Sequence, residues 1–410
     1  MLLLPAAFAQ SITYTDNVYR ANIKSVLCYN AAKEGSFPAI NLRSNDQILL
    51  SFDDLSGQSH DYYYTVEHCD NSWQPSQLSP AEYLQSFLED RLLDYQYSSG
   101  TVQKYVHYEV KFPNQNIAPK LSGNYLLKVY EDGDQNKPVL TRRIYVVNPQ
   151  AGISAEVVPS NNVSLRQTNQ KINFRFDYAG INVANPYNDI KVLVMQNGHP
   201  EVSYLNTQPT FVQGSQLFYN DISINDFPGG NEFRHFDTRT LKLNSERVAR
   251  IFKDTANAVL LLTDVSRNKN GYLLEYDNDG NYFIGNQDGR DARIDADYAR
   301  MYFSFAAEQV PANGSLYVVG KFNNYALNAS NRFTYDDTRN RYYLNTLLKQ
   351  GVYDYQYVWV PNTTSHPDYV TLEGSYFETE NDYQLLVYYR PVGARWEELI
   401  GFKTINTIKR

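Results

Sequence analysis

The sequence predicts an all-β protein made of three antiparallel, immunoglobulin-like β-sandwich domains in series. Three observations support this fold class. Apolar and polar residues alternate with a period of two in many short segments, which is typical of strands with one buried face. Turn-forming dipeptides separate these segments. The chain also contains 36 tyrosines, and tyrosine favours strands and surfaces that are half apolar and half wet.

The alternation is clearest in four segments spread along the chain. In each segment, one set of alternate residues is apolar or aromatic and is expected to face the core of a sandwich. These sets are Ile48, Leu50 and Phe52; Tyr125, Leu127 and Val129; Ile172, Phe174 and Phe176; and Tyr353, Tyr355 and Tyr357.

Dipeptides that tolerate a positive φ predict tight turns between the strands. They are Asp132-Gly133, Asn197-Gly198, Asp279-Gly280 and Asp288-Gly289. One helix is expected after Ser79, because a proline follows at the first helical position and Glu82 stands three residues after this capping serine. Apolar residues at helical spacing, from Tyr83 to Leu92, predict that this helix continues.

Two features divide the chain into the predicted domains. A finished strand, Arg143 to Val147, is followed by Asn148-Pro149, and proline breaks strand pairing. A stretch rich in glycine and aspartate at 285–297 gives the second boundary. The predicted parts are residues 1–9 as a signal-peptide remnant, 10–148 as an N-terminal sandwich, 149–297 as a middle sandwich and 298–410 as a C-terminal sandwich.

Length and charge exclude several classes of protein. A chain of 410 residues is long enough for two to four domains that each bury a core. Its 37 Lys and Arg against 45 Asp and Glu give a net charge of −8. This balance argues against a nucleic-acid partner and against docking on anionic lipid. Beyond the N-terminus, no apolar stretch approaches the ~18–20 residues of a membrane helix.

The first residues predict export. Leu2 to Phe8 is an apolar run, and Ala7-Phe8-Ala9 fits a small-x-small cleavage pattern. The run is therefore interpreted as the tail of a secretory signal peptide whose charged n-region is missing. Cleavage after Ala9 would leave Gln10 as the mature N-terminus.

The cysteine count allows one disulfide. The chain has two cysteines, Cys28 and Cys69, and an exported protein with one available pair is compatible with a bond between them. Two separate buried thiols are an equally good interpretation, because the sequence gives no distance between the two Cα atoms.

The sequence predicts no catalytic residue, metal or cofactor. It contains no G-x-G-x-x-G, no phosphate-binding P-loop, no G-x-S-x-G and no H-E-x-x-H. Its six histidines are scattered, and none is paired at the spacing of a zinc site on one element. Asp277 to Asn281 resembles the first half of a calcium loop, but Asp288 stands where such a loop has glutamate. A hairpin turn is therefore expected there.

Several long strings carry a resemblance to a known family. They are Asp61-Tyr62-Tyr63-Tyr64, His68-Cys69-Asp70-Asn71-Ser72-Trp73, Tyr105-Val106-His107-Tyr108, Ser122-Gly123-Asn124-Tyr125-Leu126-Leu127, Asn185-Pro186-Tyr187-Asn188-Asp189, Phe227 to Asp237, Glu373 to Asn381, and Val387-Tyr388-Tyr389-Arg390-Pro391. On these strings, and over essentially the whole mature chain, the protein resembles the plug proteins of the type IX secretion system of Bacteroidota.

The resemblance implies a structural, non-enzymatic function. Type IX secretion exports folded cargo through a giant outer-membrane β-barrel translocon. The plug protein closes the periplasmic opening of that barrel when no cargo-delivery partner occupies the lateral opening. The implied partner is thus the barrel, and the implied location is the periplasm at the inner face of the outer membrane. No lipid anchor is expected, and the chain is expected to be monomeric apart from the barrel.

The candidate contact with the barrel lies in the loop Phe227–Asp237. Its candidate residues are Pro228, Gly229, Gly230, Asn231, Glu232 and Arg234. The proline and the two glycines are expected to break pairing and project the chain, and the polar residues would then meet a hydrophilic lumen. In the alternative interpretation, the glycines form a tight corner, and contacts of Glu232 with Arg234 or Asp237 inside the protein stabilise that corner. Polar residues at corners more commonly have this internal role.

The last segment resembles glycogen-binding, early-set immunoglobulin-like modules. Leu316 to Tyr325 is similar to their G-x-F-N-x-W opening, and Leu348 to Tyr357 is similar to their second hairpin. Tyr325 stands where those modules carry a stacking tryptophan, and Trp359 is near their other stacking position but not at it. This resemblance favours a sandwich fold and weakens sugar binding.

Two other functions remain alternatives to the plug. The first is a periplasmic or surface carbohydrate-binding protein, which the early-set resemblance suggests. The second is a glycoside hydrolase, for which acidic pairs such as Asp53-Asp54 or Glu397-Glu398 would have to supply the two carboxylates.

Overall fold

Strands, nearly all antiparallel, form almost all of the regular structure, which confirms the predicted all-β fold class. The computed structural model describes residues 12–150, 152–253 and 255–408. The expected signal-peptide remnant, residues 1–9, lies outside them. In these ranges the α-helices are single turns: α1 (Pro80–Tyr83), α2 (Pro186–Asp189) and α3 (Ala292–Asp295). None of the described helices is long and apolar enough to span a bilayer.

The chain divides into two compact units. The first holds residues up to Tyr97, Lys104–Asn148 and Arg390–Leu399, and the second holds Ser98–Gln103, Pro149–Tyr389 and the residues from Ile400 onward. The strands up to residue 148 are β1 (Asn17–Val18), β2 (Ile23–Asn30), β3 (Ala39–Asn41), β4 (Ile48–Asp54), β5 (Tyr62–Cys69), β6 (Leu84–Ser86), β7 (Asp90–Arg91), β8 (Asp94–Tyr97), β9 (Val106–Phe112), β10 (Ile117–Pro119), β11 (Gly123–Glu131) and β12 (Pro138–Val147).

Two sheets enclose the core of the first unit. One has the order β1-β12-β11-β5-β7, with β3 also on β12, and the other has the order β2-β4-β9-β8. The predicted apolar sets on β4 and β11 are buried in this core. Phe52 of β4 stacks on Tyr108 of β9, with ring centroids 5.2 Å apart. Facing sheets that share one core form a β-sandwich.

The predicted helix after Ser79 forms but ends after one turn. The Glu82 carboxylate accepts a hydrogen bond from the Ser79 backbone N–H at 2.7 Å. The predicted capping interaction at the start of this helix is therefore present. The chain then becomes β6, which pairs with β10, and Phe87 is 63% exposed. The predicted continuation to Leu92 is wrong, because pairing with β10 uses the backbone groups that a second helical turn would need.

Three of the four predicted turns have positive φ at both residues. They are Asp132-Gly133 (58° and 70°), Asn197-Gly198 (52° and 65°) and Asp279-Gly280 (51° and 74°). Asp288-Gly289 does not adopt this conformation.

The remaining strands build two further pairs of sheets. They are β13 (Gly152–Pro159), β14 (Asn169–Asp177), β15 (Ile190–Gln196), β16 (Ser203–Asn206), β17 (Phe211–Gln213), β18 (Gln216–Tyr219), β19 (Asp226–Pro228), β20 (Arg234–Asp237), β21 (Val248–Lys253), β22 (Asn257–Leu261), β23 (Tyr282–Ile284), β24 (Tyr298–Ala306), β25 (Gly314–Val319), β26 (Thr334–Asp336), β27 (Arg341–Lys349), β28 (Gly351–Pro361), β29 (Asp382–Tyr389) and β30 (Glu398–Asn406).

The second unit has two principal cores. The first lies between the sheet β13-β14-β18-β17, with β19 also on β14, and the sheet β16-β15-β29-β30. The second lies between the sheet β20-β28-β23, with β25 also on β28, and the sheet β21-β22-β24-β27-β26. Across that second core, Phe303 of β24 contacts Phe236 of β20 and Tyr355 of β28, with ring centroids 5.6 and 5.5 Å apart.

The strand pairing differs from the predicted order of domains. The units part between Asn148 and Pro149, where the first predicted boundary lies. The second predicted boundary, between 297 and 298, falls inside a sandwich, because β20 and β23 before it pair with β28 after it. Similarly, β15 pairs with β29. The segment from β20 to β28 is thus inserted between the strands of another sandwich, and alternation alone identifies strands without identifying their partners.

Candidate partner-contact site

The loop predicted to contact a partner is a tight corner between β19 and β20. β19 pairs with β14, and the backbone N–H of Gly229 still donates to Thr168 O at 2.8 Å. A Cβ on Gly229 would lie 2.0 Å from the carbonyl oxygen of Tyr376, so only glycine fits. Gly230 has φ +67°, a conformation that side chains other than glycine rarely adopt. The glycine pair therefore has a steric role.

A second segment of the chain holds this corner in place. The carbonyl oxygen of Gly230 accepts hydrogen bonds from the Tyr376 N–H and the Thr379 hydroxyl, both at 2.9 Å. The side-chain amide of Asn231 donates to the Glu373 carbonyl oxygen at 2.8 Å. Two of the strings that carry the family resemblance, Phe227–Asp237 and Glu373–Asn381, are thus bonded to each other.

Glu232 points into the protein. Its side chain is 1% exposed, and its Oε1 accepts hydrogen bonds from the Tyr272 hydroxyl at 2.5 Å and the Glu380 N–H at 3.1 Å. Burial raises the pKa of this carboxyl. Arg267 also donates to the carbonyl oxygen of Glu232 at 2.6 Å. The Oε1 and the backbone carbonyl oxygen of Glu232 therefore have internal partners, whereas its buried Oε2 has no hydrogen-bond partner among the described residues.

Arg234 lies in a buried network of ion pairs. Its Nε donates to Glu373 Oε1 at 3.0 Å, and its Nη1 donates to Asp264 Oδ1 at 2.9 Å. Burial alone would lower the pKa of Arg234, but the carboxylates of Glu373 and Asp264 raise it. Burial would likewise raise the pKa of Glu373, but Arg234 and Arg267 lower it. Both charges are therefore stabilised inside the protein.

The predicted tyrosine-rich strand completes the network. The hydroxyls of Tyr355 and Tyr357 donate to Asp264 Oδ2 at 2.8 and 2.7 Å. The backbone N–H of Tyr357 donates to Glu373 Oε1 at 2.9 Å. Tyr353, Tyr355 and Tyr357 are all buried, so these tyrosines belong to the core and not to a wet contact surface.

The six candidate residues thus have unequal access to a partner. Pro228 is exposed, Gly230 and Asn231 are half-buried, and Gly229, Glu232 and Arg234 are buried. The structure gives the loop the internal role named as the alternative, with one difference. Glu232 and Arg234 bond Tyr272, Glu373 and Asp264, which come from distant parts of the chain and not from the loop itself.

A cavity of about 490 Å³ lies beside the network, with Arg234, Arg247, Arg267, Glu275 and Tyr276 among its lining residues. Each of the three guanidiniums contacts a carboxylate: Arg234 bonds Glu373, Arg247 bonds Asp264, and Arg267 bonds both Glu373 and Glu275. Because opposite charges are matched, the network has the character of an internal cross-link and not of an anion site.

The disulfide considered from the sequence is not formed in the structure, where both cysteines are free. Cys28 lies on β2 and Cys69 on β5, which belong to different sheets. Burial raises the pKa of each thiol to about 12, so each remains protonated and poorly reactive at neutral pH.

The segment considered as a calcium loop forms a tight turn with clustered carboxyl groups, in which the Asn281 N–H donates to the Asn278 carbonyl oxygen at 3.0 Å. The expected hairpin is wrong, because no strand precedes the turn between 262 and 281, and β23 after it pairs with β28. Burial, together with neighbouring carboxylates, raises the pKa of Asp277 to about 8 and of Asp279 to about 7, and burial raises the pKa of Asp354 to about 6. Across the described ranges, no group of three or more His, Cys, Asp or Glu is arranged to hold a metal ion. Sequence reasoning missed Asp354 because it lies about 75 residues from the turn, inside an aromatic strand.

The two aromatic residues compared with sugar-stacking positions are inside the protein. Tyr325 is 8% exposed and Trp359 is 3% exposed. The ring of Tyr325 packs on His199, with centroids 4.1 Å apart. A sugar ring needs a free aromatic face, and neither residue offers one.

Together these features define a class: a multi-sandwich β protein in which a buried ion-pair network joins loops from distant parts of the chain. The family model for the first domain of the type 9 secretion system plug protein matches residues 23–148. A crystal structure of a hypothetical protein from Parabacteroides merdae ATCC 43184 is 33% identical, with a TM-score of 0.92, and the alignment covers 97% of this chain and 100% of that one. Comparison with curated proteins found no match.

The chain belongs to the type IX secretion system plug protein family. Proteins of this family are components of a secretion system, and the family is not a known family of enzymes. Membership gives the protein a role related to type IX secretion and a location in the cell envelope.

Proposed function

We propose that this protein closes the periplasmic opening of the giant outer-membrane translocon barrel by steric occlusion, without catalysis. The observation that carries the proposal is the family membership, since plugging is the function that the resemblance implies. The protein would lie in the periplasm at the inner face of the outer membrane. It would contact the barrel as a monomer and without a lipid anchor.

The physical properties of the second unit suit an obstacle. A compact body of about 260 residues has a radius of gyration of about 18 Å, and steric occlusion depends on bulk of this kind. Such a body must also keep its shape under thermal motion. The ion pairs of Arg234 and Glu373 join segments about 140 residues apart, which supports a rigid body.

Co-purification tests the partner. The native protein, used as bait in a mild-detergent extract of outer membranes, should retain a giant barrel. The heat-denatured protein is the control for adhesion to detergent micelles. If the native bait retains no barrel, that result contradicts the proposal.

A deletion strain tests the mechanism. Without the protein, the outer membrane should become permeable to large solutes that the wild type excludes, and a plasmid-borne copy should restore exclusion. Cargo should still cross the membrane, because the plug blocks the pore and does not drive transport. Unchanged permeability would show that occlusion is the wrong mechanism.

A further inference from the structure

The five-stranded sheet β21-β22-β24-β27-β26 has one face in a core and one face in solvent. Residues paired across strands lie on the same face of a sheet. Leu260 pairs with Arg250 on one side and Tyr302 on the other, and Ala258 pairs with Phe252 and Arg300. Of the intervening residues, Val259, Leu261 and Met301 are buried and Ile251 is half-buried. We call the solvent-facing set Arg250, Phe252, Leu260, Leu262, Arg300 and Tyr302 the outer face.

The outer face is unusually apolar for a surface in water. Phe252 is 44% exposed, Leu260 37%, Leu262 45% and Tyr302 38%. The solvated side of such a sheet is normally polar, with apolar residues confined to the core side. Contiguous exposed apolar residues with polar neighbours mark interaction surfaces, and tyrosine and arginine are enriched among the residues that dominate binding.

The charge of the outer face indicates the chemistry of the partner. The guanidinium of Arg250 lies over the ring of Phe252, 4.8 Å from its centroid, and Arg300 donates to Asn345 Oδ1 at 2.7 Å. Within the described ranges, no carboxylate forms an ion pair with either arginine. Among the described residues, the face therefore carries positive charge that no ion pair neutralises, on a chain whose net charge is −8. A complementary partner is acidic.

Charge also argues against a second copy of the chain as the occupant. A symmetric dimer uses the same patch on both subunits, and this would bring the arginines of one copy towards those of the other. Like charges opposed across an interface are unfavourable.

We propose that the outer face docks on an acidic protein surface of the translocon barrel that also presents apolar side chains. This inference rests on the proposed function, because the barrel is the partner named there. The apolar strip supplies the desolvated centre of the contact, and Arg250 and Arg300 select for carboxylates around it.

Charge reversal tests the proposal. The variant carrying Arg250→Glu and Arg300→Glu should retain at least tenfold less barrel than the wild type in the detergent pull-down, because two attractive pairs become repulsive. The matched control carries Arg166→Glu and Arg175→Glu, which are exposed arginines of the second unit outside the strands of the five-stranded sheet β21-β22-β24-β27-β26. It has the same net charge and should retain the barrel as the wild type does.

A second variant removes apolar surface without changing charge. Leu260→Ser should also weaken retention, and circular dichroism with thermal melts establishes that every variant is folded. Normal retention by both folded variants would overturn the docking inference and leave the proposed function intact. A wild-type bait that retains no barrel would overturn both.

Two further measurements test whether the outer face instead binds a second copy of the chain or an anionic membrane. Light scattering of the wild type would reveal a dimer that the outer-face variants lose. Flotation with vesicles of anionic lipid would reveal membrane binding that they lose. Either result would overturn the proposed barrel contact in favour of that occupant.

Discussion

Removing the carboxylate of Glu373 should destabilise the second unit strongly. In the Glu373→Ala variant, Arg234 and Arg267 lose a shared partner that lies 3.0 and 3.1 Å from them. Breaking a buried ion pair by removing one partner costs about 3–5 kcal/mol, because an uncompensated charge remains in the interior. For a unit of this size, about 2 °C per kcal/mol corresponds to a midpoint of thermal unfolding lower by roughly 6 °C or more.

Differential scanning calorimetry of the full chain measures this effect. Two units can unfold separately, so the transition that shifts identifies the one that contains the network. Glu378→Ala is the matched control, because Glu378 is exposed in the same segment and surface changes cost within about 0.5 kcal/mol. A loss below about 1 kcal/mol for Glu373→Ala would refute the view that the network holds the loops together.

Four further predictions concern pH, the corner, the thiols and sugars. The raised pKa of Asp277, about 8, means that the folded state binds its proton more tightly than the unfolded state. Stability is thus lost as pH rises from about 4 towards 8, and Asp277→Asn should be more stable than the wild type at pH 8 but not at pH 5. Gly229→Ala should cost more than about 2 kcal/mol, because its Cβ meets the Tyr376 carbonyl. At pH 8, Cys28 and Cys69 should resist alkylation in the native protein and react after denaturation, without reductant. Calorimetric titration of the full chain with maltoheptaose should show no micromolar binding.

The first two predictions have control variants, and the last two have outcomes that would contradict them. Asp337→Asn changes an exposed carboxylate and should leave the pH profile unchanged. Gly271→Ala adds a Cβ that meets nothing within 4 Å, so its stability should match the wild type. Rapid alkylation of both native thiols would contradict the raised pKa of the cysteines, and an intact mass lower by two hydrogens before reduction would show a disulfide. Micromolar glucan binding would bring back the carbohydrate-binding interpretation.

The local features of the fold were predictable from the sequence because their causes are local. Period-two alternation correctly predicted the buried apolar residues of β4 and β11, and Asp or Asn before Gly correctly predicted three turns. The choice of strand partners was not predictable in the same way. β15 and β29 lie almost 200 residues apart in the sequence. The alternation pattern does not distinguish β29 from the other strands that could pair with β15.

The candidate site shows the same limit. The glycine pair at 229 and 230 predicted a corner, and the structure has one. The partners of Glu232 and Arg234 come from Tyr272 and Glu373, whose positions in the sequence give no sign of contact. The outer face was also missed, because an apolar residue at alternate strand positions indicates burial unless its cross-strand neighbours are known.

The late position of β29 constrains how the protein can be made and shortened. The sandwich begun by β13–β19 stays incomplete until residues 382–389 are available, whereas the inserted segment from β20 to β28 can close its core earlier. A chain that stops before residue 382 would leave β15 with an open edge along Ile190–Gln196. Unpaired edges of this kind promote aggregation, so premature termination near the end of the gene should yield an aggregated product and not a shorter, working one.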